Sequence, residues 1–304
     1  MKASNLSKGI FLAVLGAALF GLKSIFIKLA FAQGVDPATL LSLRMLISFP
    51  LYVIVLVWAL KESPIATRQV SKRDISAVII LGFMGYFLAS ILDFHGLMYI
   101  SAQLERLTLF TYPIMVALLN LVLFSEKITA RLGFALLLTY VGVAFLFMYE
   151  SGMGNTEVIK GVILVALAAF SFSIFIVYSK QYINRFGSLI FTSIAMLVST
   201  VFVLSYFFMD HTIADLDVNL ATWGFAILLG VVSTLIPSFM VSKAIFLIGS
   251  TKASIAGSIG PVFTVLLAVV ILGEDFGWQH LLGMLMVVSG IYILGVKRKR
   301  TVSK

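Results

Sequence analysis

Ten apolar runs, each about as long as a membrane-spanning helix, fill nearly the whole chain. A bilayer core about 30 Å thick needs about 20 apolar residues per helix. Hydrophobic residues make up 61% of the 304 residues and charged residues 12%, against about 45–50% and about 25% in soluble domains. The sequence therefore predicts an all-α polytopic membrane protein surrounded by a lipid bilayer. Its ten spans, numbered in chain order, lie at roughly 9–31, 38–60, 75–98, 102–124, 131–149, 160–181, 188–208, 221–243, 253–273 and 278–296.

The chain also repeats itself. Residues 104–127 return in altered form as residues 253–275, and each copy has a proline inside an apolar stretch and a glutamate near its end. The same offset relates several spans, through the matched pairs Pro113 and Pro261, Glu126 and Glu274, Gly82 and Gly230, and Gly142 and Gly290. Self-similarity at a fixed offset indicates a fold that is built from repeated structural units. We therefore expect two repeats of five helices each, residues 1–150 and residues 151–304.

Basic residues predict how the spans are oriented. Of the 22 Lys and Arg residues, 17 lie at one set of alternate span ends, including the tail from Lys297 to Lys304, while acidic residues dominate the opposite ends. Cytoplasmic ends carry the excess of Lys and Arg. Both termini are thus expected in the cytoplasm of a multi-pass plasma-membrane protein, which in a bacterium is the inner membrane. The basic tail is then a topology anchor, and no nucleic-acid partner is expected.

An odd number of spans per repeat has a further consequence. The second repeat must enter the membrane from the side opposite to the first, so the two repeats are inverted. Inverted-topology repeats are a recurrent construction of secondary transporters. Each half can adopt the conformation of the other, which converts an outward-open cavity into an inward-open one.

Seven ionisable side chains lie inside the first four apolar spans, and one of them, Lys28, is near the end of span one and is expected to extend to the membrane interface. The other six lie deeper or begin a span. They are Lys23 in span one, Arg44 in span two, Asp93 and His95 in span three, and Glu105 and Arg106 in span four. A buried charge costs at least about 2.5–3.5 kcal/mol on insertion scales and usually faces a cavity or a partner. Because alternate spans run in opposite directions, these positions converge on one depth in the outer half of the bilayer. They are the candidates for substrate binding or coupling.

Helical spacing assigns some of these residues to faces. Tyr86 shares one side of span three with Asp93, and Glu105 shares one side of span four with Tyr112, so two polar stripes can face each other. Neighbours one or two positions apart do not share a face.

His95 and Arg106 are therefore expected to point elsewhere and to pair with carboxylates on adjacent helices. Two simpler interpretations stay open. Asp93 can form a purely structural ion pair with Lys23 or Arg44, and His95 can be a hydrogen-bonded packing residue.

The second half of the chain supplies hydroxyl groups and proline breaks in place of charges. Its candidate path-lining residues are Ser233, Thr234, Ser254 and Ser258. Proline removes a backbone hydrogen bond and kinks a helix, and such breaks are tolerated in membranes where they line a cavity or pack against partners. Pro113, Pro237 and Pro261 are accordingly either hinges or packing kinks.

Several motifs are missing from the sequence. It contains no Gly-x-x-x-x-Gly-Lys-Ser/Thr loop for nucleotide phosphates, no His-Glu-x-x-His zinc site and no Gly-x-Ser-x-Gly nucleophile turn. We expect no cofactor, no metal and no catalytic residue, and transport driven by a gradient. The alternatives are a membrane-embedded enzyme acting on a lipid or small metabolite, with residues gathered from several spans, and a channel or scaffold.

Two proline-containing segments give the chain a family resemblance. Tyr112-Pro113 is followed by Glu126, and Gly260-Pro261 by Glu274, and each segment precedes a glycine-containing span. Over essentially its whole length the chain resembles the ten-helix EamA type of the drug/metabolite transporter superfamily. The resemblance implies an inverted bundle of five plus five helices around a central cavity lined by spans one, three, four, six, eight and nine. It also implies an exporter or exchanger of amino acids, other metabolites or amphipathic drugs.

One departure from that family sharpens the expected function. Residues 92–97, Leu-Asp-Phe-His-Gly-Leu, and residues 104–107, Leu-Glu-Arg-Leu, are more charged than the usual Ala- and Gly-rich core. This favours a small polar or zwitterionic substrate, expected to be amino-acid-like and exported by alternating access, or coupling to a proton.

In that hypothesis four of the charged residues have a stated role. Lys23 and Arg44 hold a substrate carboxylate or balance Asp93, while Asp93 and Glu105 bind an amine or take up a proton. Tyr86 and Tyr112 line the path together with the hydroxyl residues of the second half.

Overall fold

A computed structural model describes residues 3–62, 71–124, 130–151, 155–257 and 260–295. In this part of the chain the regular structure is helical, with no β-strand. The prediction of an all-α protein is therefore confirmed. The first half contains α1 (Ala3–Phe31), α2 (Pro37–Glu62), α3 (Lys72–Gly82), α4 (Ala89–Gly96), α5 (Ala102–Leu109), α6 (Tyr112–Phe124) and α7 (Ala130–Ser151).

The second half repeats the same alternation of long and interrupted helices. It contains α8 (Thr156–Phe186), α9 (Ser188–Asp210), α10 (Leu220–Ile227), α11 (Ile236–Ile248), α12 (Ser250–Gly257), α13 (Gly260–Leu267) and α14 (Trp278–Gly295). Three π-helical segments, Phe83–Leu88, Leu228–Leu235 and Ala268–Leu272, join α3 to α4, join α10 to α11 and follow α13. Span three is thus α3 and α4, span four is α5 and α6, span eight is α10 and α11, and span nine is α12 and α13.

The long helices have the length and apolarity of membrane spans. Within the described residues eight stretches meet this description, namely Asn5–Phe31, Pro37–Glu62, Lys72–Gly96, Ala102–Leu123, Thr156–Phe186, Ser188–Asp210, Leu220–Ile248 and Ile255–Leu272. Two shorter apolar helices, Gly133–Tyr149 and Trp278–Ile293, fall in predicted spans five and ten. The chain is a multi-pass membrane protein, while the total of ten spans and the cytoplasmic position of both termini stay predictions.

Interruptions of the helices recur at matching places in the two halves. The π-helical segment of span three follows Gly82, and that of span eight contains Gly230, the residue matched to Gly82. Span four consists of a short helix, α5, followed by α6, whose second residue is Pro113. Proline suits the first turn of a helix because its missing N–H has no partner to lose there.

Pro237 is the second residue of α11 and directly follows a π-helical segment. Pro113 and Pro237 therefore each lie at the second position of an α-helix, and Pro261 lies in α13. Their action as hinges stays a prediction.

Packing between helices also follows a two-fold pattern. Span one packs against span eight and span three against span six, so each of these pairs is the counterpart of the other in the repeat. Spans two and seven, and spans five and ten, pack against their own counterparts. This is the pattern that a two-fold relation between the halves produces. The boundary at residue 150 itself stays a prediction.

The contact between α7 and α14 shows the relation at atomic detail. A Cβ on Gly142 would lie 2.9 Å from the carbonyl oxygen of Gly283, and a Cβ on Gly290 would lie 2.9 Å from that of Ala135. Gly142 corresponds to Gly290 and Ala135 to Gly283 at the offset of the repeat, so the same backbone contact is made twice. Small residues let membrane helices approach closely in this way.

A carboxylate of the second half caps a helix of the first. Glu274 Oε1 accepts a hydrogen bond from the backbone N–H of Ala102 at 2.7 Å, and its Oε2 accepts one from Gln103 at 3.2 Å. These amides begin α5, where they have no partner within the helix and where the helix dipole favours negative charge. The second copy of the repeated glutamate therefore joins the halves, while Glu126 lies outside the described residues.

The tight crossing of α7 and α14 makes a testable prediction. Gly142→Ala should lower the free energy of unfolding by about 1–3 kcal/mol, because the added methyl group meets a backbone oxygen that cannot move aside. Gly133 lies in the same helix, and a Cβ added there would have nothing within 4 Å. Gly133→Ala is the matched control and should leave stability nearly unchanged. Denaturant titration in detergent micelles measures both, and equal effects would contradict the packing described.

Candidate functional site

A central cavity lies between the two halves of the bundle. The space in it that water-sized molecules can occupy is about 100 Å³, below the range of about 300–1,000 Å³ that is typical of small-molecule sites. Spans one, three, four, six, eight and nine all contribute to its wall, as the family resemblance implies, and span two adds Arg44. The wall includes Ala13, Phe20, Lys23, Arg44, Tyr86, Ser90, Asp93, Arg106, Phe110, Tyr112, Phe172, Thr234, Ile245, Ser250 and Gly257.

An ion pair between spans one and three lies at the charged end of this cavity. Lys23 Nζ lies 2.5 Å from Asp93 Oδ2, and the two side chains are 12% and 1% exposed. Two charges at this depth can be held only if they compensate each other, since leaving one of them unpaired is costly. The pair therefore ties span one to span three.

A second group of polar side chains lies beside the first. Glu105 Oε2 accepts a hydrogen bond from Ser24 Oγ at 2.6 Å and lies 3.7 Å from Arg106 Nε. Arg106 also donates to Ser24 Oγ and, at 3.0 Å, to the backbone carbonyl of Phe20. Ser24 thus connects an acid and a base of span four to span one. Sequence reasoning assigned Ser24 no role, although its position next to an intramembrane lysine could have indicated one.

Arg44 differs from the other buried cations. Its Nη2 donates to Ser90 Oγ at 3.1 Å, and its guanidinium carbon lies 5.0 Å from the ring centroid of Phe94. Among the described residues it has no carboxylate within 4.0 Å, and its Nε has no hydrogen-bond partner. The side chain is nevertheless buried, with 3% of the residue exposed. Arg44 is therefore a positioned but incompletely satisfied cation on the cavity wall.

Three further polar atoms of the cavity residues also lack a hydrogen-bond partner. Asp93 uses Oδ2 for Lys23, but its Oδ1 has no hydrogen-bond partner among the described groups, and the same holds for Thr234 Oγ1 and Arg106 Nε. Buried polar groups are normally satisfied, so such exceptions require an explanation. An acceptor, a hydroxyl and a cationic donor thus belong to residues that line one cavity.

Aromatic rings make up much of the remaining wall. Tyr112 lies 5.3 Å from Phe172 and 5.6 Å from Phe110 between ring centroids, and Tyr86 lies 4.8 Å from Phe175. Tyr86 is on the π-helical segment of span three, where the wider turn admits an extra residue and shifts the faces of the residues that follow. Such a wall offers apolar contact next to the charged end.

The predicted face of span four is wrong. Arg106 lines the cavity, whereas Glu105, which was expected there with Tyr112, is fully buried behind it. The cause is the interruption between α5, which ends at Leu109, and α6, which begins at Tyr112. Helical spacing cannot be carried across this break, so Glu105 and Tyr112 do not share a face. Arg106 has Glu105 of its own helix within ion-pair distance, rather than a carboxylate of a neighbouring helix.

The partner predicted for His95 is also wrong. His95 Nε2 lies 3.2 Å from Tyr206 Oη, in a separate groove outside the central cavity. This agrees with the simpler interpretation of a hydrogen-bonded packing residue. The i,i+2 spacing from Asp93 correctly indicated that the two side chains point apart.

The candidates of the second half are dispersed. Thr234 lines the cavity, whereas Ser233 is fully buried and does not. Ser254 belongs to α12, and Ser258 lies outside the described residues. Throughout the described part of the chain, no group of three or more His, Asp or Glu side chains is arranged to hold a metal ion.

Comparison with known proteins gives this cavity its context. The profile of the EamA-like transporter family matches residues 7–148 and 159–296, which together make up most of the chain. The chain belongs to the EamA-like transporter family. The two separate matches fall on the two halves that the repeat defines.

Relatives and a solved structure agree with this membership. The chain is 25% identical to the uncharacterized transporter YcbK of Bacillus subtilis (strain 168), over 95% of this chain and 94% of the relative. It is 24% identical to an uncharacterized transporter of Archaeoglobus fulgidus, over 86% and 90% of the two chains. A crystal structure that is 17% identical shares the fold, with a TM-score of 0.66 over 96% of both chains. The protein is a membrane transporter.

The Lys23–Asp93 pair supplies a prediction about stability. Lys23→Met leaves the Asp93 carboxylate buried without its cation, and we expect a loss of about 3–5 kcal/mol in the free energy of unfolding. The double variant with Asp93→Asn should recover part of this loss, with a coupling energy of about 0.5–3 kcal/mol. Denaturant titration in detergent measures the cycle. Asp217→Asn, at an exposed loop position, is the matched control and should add to Lys23→Met without coupling.

Proposed function

We propose that the protein is a secondary active transporter that exports a small amino-acid-like zwitterion by alternating access. One observation carries the proposal. Arg44 Nε and Asp93 Oδ1 are buried atoms without hydrogen-bond partners, and both residues line the central cavity. A guanidinium binds a carboxylate through charge-assisted hydrogen bonds, and a carboxylate oxygen binds an ammonium group. An amino acid presents these two groups together.

The charge of the site supports a substrate that carries a carboxylate. Lys23, Arg44 and Arg106 bring three positive charges to this region, against the two acidic groups Asp93 and Glu105. Lys23 and Arg106 have carboxylates within ion-pair distance, so the surplus charge belongs to Arg44. In a bilayer such a surplus is costly, and a bound carboxylate would neutralise it.

Coupling to a proton has its own structural basis. The carboxyl groups of Asp93 and Glu105 act electrostatically on each other, and a proton held by one of them would relieve the repulsion between two carboxylates. A substrate ammonium at Asp93 would compete with that proton. A transporter that exchanges a substrate for a proton requires that the two bind one at a time.

The shape of the cavity supports alternating access. Its charged residues lie toward one end of the bundle, and its wall continues toward the other end through Ala13, Ile245 and Ser250. With the predicted topology, this second end is cytoplasmic. The ion-pair network then closes the outer end of the cavity, and its rearrangement would be part of outward opening. Phe20, Phe110 and Phe172 would hold the apolar body of the substrate.

A membrane-embedded enzyme, the alternative function, would differ from a transporter in the conditions under which it is active. An enzyme would convert a metabolite in detergent solution, where no gradient exists, whereas a transporter needs sealed vesicles. The known relatives are named as transporters, which supports the transport proposal.

Replacement of Arg44 tests the substrate site. In proteoliposomes loaded with the twenty proteinogenic amino acids, the wild type should catalyse counterflow of at least one of them, measured by mass spectrometry. Arg44→Gln should slow this exchange about tenfold or more, because a charge-assisted hydrogen bond is worth about 1.5–3 kcal/mol.

Two results would count against this assignment. Arg73→Gln, at an exposed position of α3, is the matched control and should exchange normally. Normal exchange by a folded Arg44→Gln variant would remove Arg44 from the site. Failure of the wild type to move any amino acid of the panel would show that the proposed substrate class is wrong.

Glu105 provides a separate test of coupling. Glu105→Gln cannot release a proton, so it should retain counterflow at equal pH on both sides but lose accumulation driven by a pH gradient. Glu157→Gln, exposed in the first turn of α8, should retain both activities. If Glu105→Gln still accumulates substrate in response to a pH gradient, another group carries the coupling proton.

A further inference from the structure

A second concave site lies outside the central cavity, where α4 and α8 meet the end of α9. It is a groove with two kinds of wall. Ile91, Leu92 and Leu164 make its apolar wall, and four polar residues, His95, Tyr99, Lys160 and Tyr206, make the rest. None of these four lines the central cavity, so the groove is a site of its own.

The polar residues are joined in two pairs. Lys160 Nζ donates a hydrogen bond to Tyr99 Oη at 2.7 Å and lies 4.2 Å from the centroid of the same ring. His95 Nε2 lies 3.2 Å from Tyr206 Oη. Lys160 is exposed, so its ammonium group can reach a ligand in the groove while it keeps the contact with Tyr99. Together these side chains offer hydrogen-bond donors and one fixed positive charge.

Two acidic residues outside the groove lining, Asp36 and Asp210, lie near its polar side chains. Asp36 acts electrostatically on both His95 and Tyr206, and Asp210 acts on Tyr206. Asp36 already caps α2 through Ala38 N–H and lies 3.5 Å from His211. Asp210 is the last residue of α9, is exposed, and lies one helical turn beyond Tyr206 on the same side of the helix. A positive charge in the groove, on Lys160, and a negative charge beside it, on Asp210, are therefore both near its polar end.

The position of the groove in the bundle indicates its depth. Lys160 lies in the second turn of α8, His95 is the penultimate residue of α4, and Asp210 ends α9. Tyrosine and other side chains with a polar tip are typical of helix ends at the level of lipid head groups. The apolar wall continues from there along α4 and α8 toward the middle of the bundle. Lys160 is also the exception among the basic residues, since most of the others lie at the opposite span ends.

We propose that this groove binds phosphatidylethanolamine, a phospholipid with a primary ammonium head group. An acyl chain lies against Ile91 and Leu164, the phosphate accepts hydrogen bonds from Lys160 and from tyrosine hydroxyls, and the ammonium group approaches Asp210. The arrangement of charges selects this lipid among common phospholipids. Phosphatidylglycerol has no cation to set against Asp36 and Asp210, and the trimethylated ammonium of phosphatidylcholine has no N–H to donate.

Lipid binding to the full chain in detergent tests the proposal. Purified protein is titrated with phosphatidylethanolamine, phosphatidylcholine or phosphatidylglycerol of identical acyl chains, and the bound fraction is measured by native mass spectrometry. We expect phosphatidylethanolamine to bind about tenfold more tightly than the other two, a difference of about 1.4 kcal/mol. Equal affinity for the three lipids overturns the proposal.

Variants locate the binding site. Lys160→Gln should weaken phosphatidylethanolamine binding about tenfold, and Asp210→Asn should abolish the preference for phosphatidylethanolamine over phosphatidylcholine. Lys61→Gln, exposed at the end of α2 away from the groove, is the matched control and should bind as the wild type does. If Lys160→Gln does not fold, Leu164→Trp, which fills the apolar wall, replaces it. Retained selective binding in a folded Lys160→Gln or Leu164→Trp variant places the lipid elsewhere and rejects the site.

Discussion

Compensation of buried charge is the constraint on which the centre of this protein depends. An isolated charge inside a bilayer is expensive, and this bundle brings five charged side chains to one depth. The Lys23–Asp93 pair and the Glu105–Ser24–Arg106 group reduce that cost by joining spans one, three and four. Arg44 is held only by Ser90 and the face of Phe94. The same network that stabilises the bundle therefore leaves Arg44 without a nearby carboxylate and Asp93 Oδ1 without a hydrogen-bond donor.

Interruptions of helical structure place these groups. The π-helical segment of span three and the break in span four lie on the cavity side of the bundle, and the π-helical segment has a counterpart in span eight. Non-helical backbone is tolerated in membranes where it is buried in protein or lines a cavity. Spans five and ten are held together without charges, by close backbone contacts such as that of Gly142 with Gly283. Doubled architecture thus coexists with charged chemistry that lies mainly in the first half.

The sequence predicted much of the site because the position of a charged residue in its span shows how deep it lies in the bilayer and therefore how costly its burial is. Lys23, Arg44 and Asp93 stood out as charges in apolar runs, and the structure brings all three to one cavity. The sequence-based prediction was wrong where it assigned residues to a helix face from their spacing along the chain. The break after Leu109 exchanges the expected places of Glu105 and Arg106, and Ser24 carried too weak a signal to be selected. Contacts between distant spans, such as that of His95 with Tyr206, leave no mark in local spacing.

By itself the sequence determined that the chain is helical, lies in a membrane and is built twice from one pattern. Those properties follow from hydropathy and from repetition, which are written along the chain. Only the tertiary structure decided which charges neutralise each other and which remain available. Ion pairing depends on distances of a few ångströms between side chains of different helices, and a single interruption in a helix is enough to change them. Arg44 was one of several buried cations in the sequence, and in the fold it is the one among the described cavity residues without a nearby carboxylate.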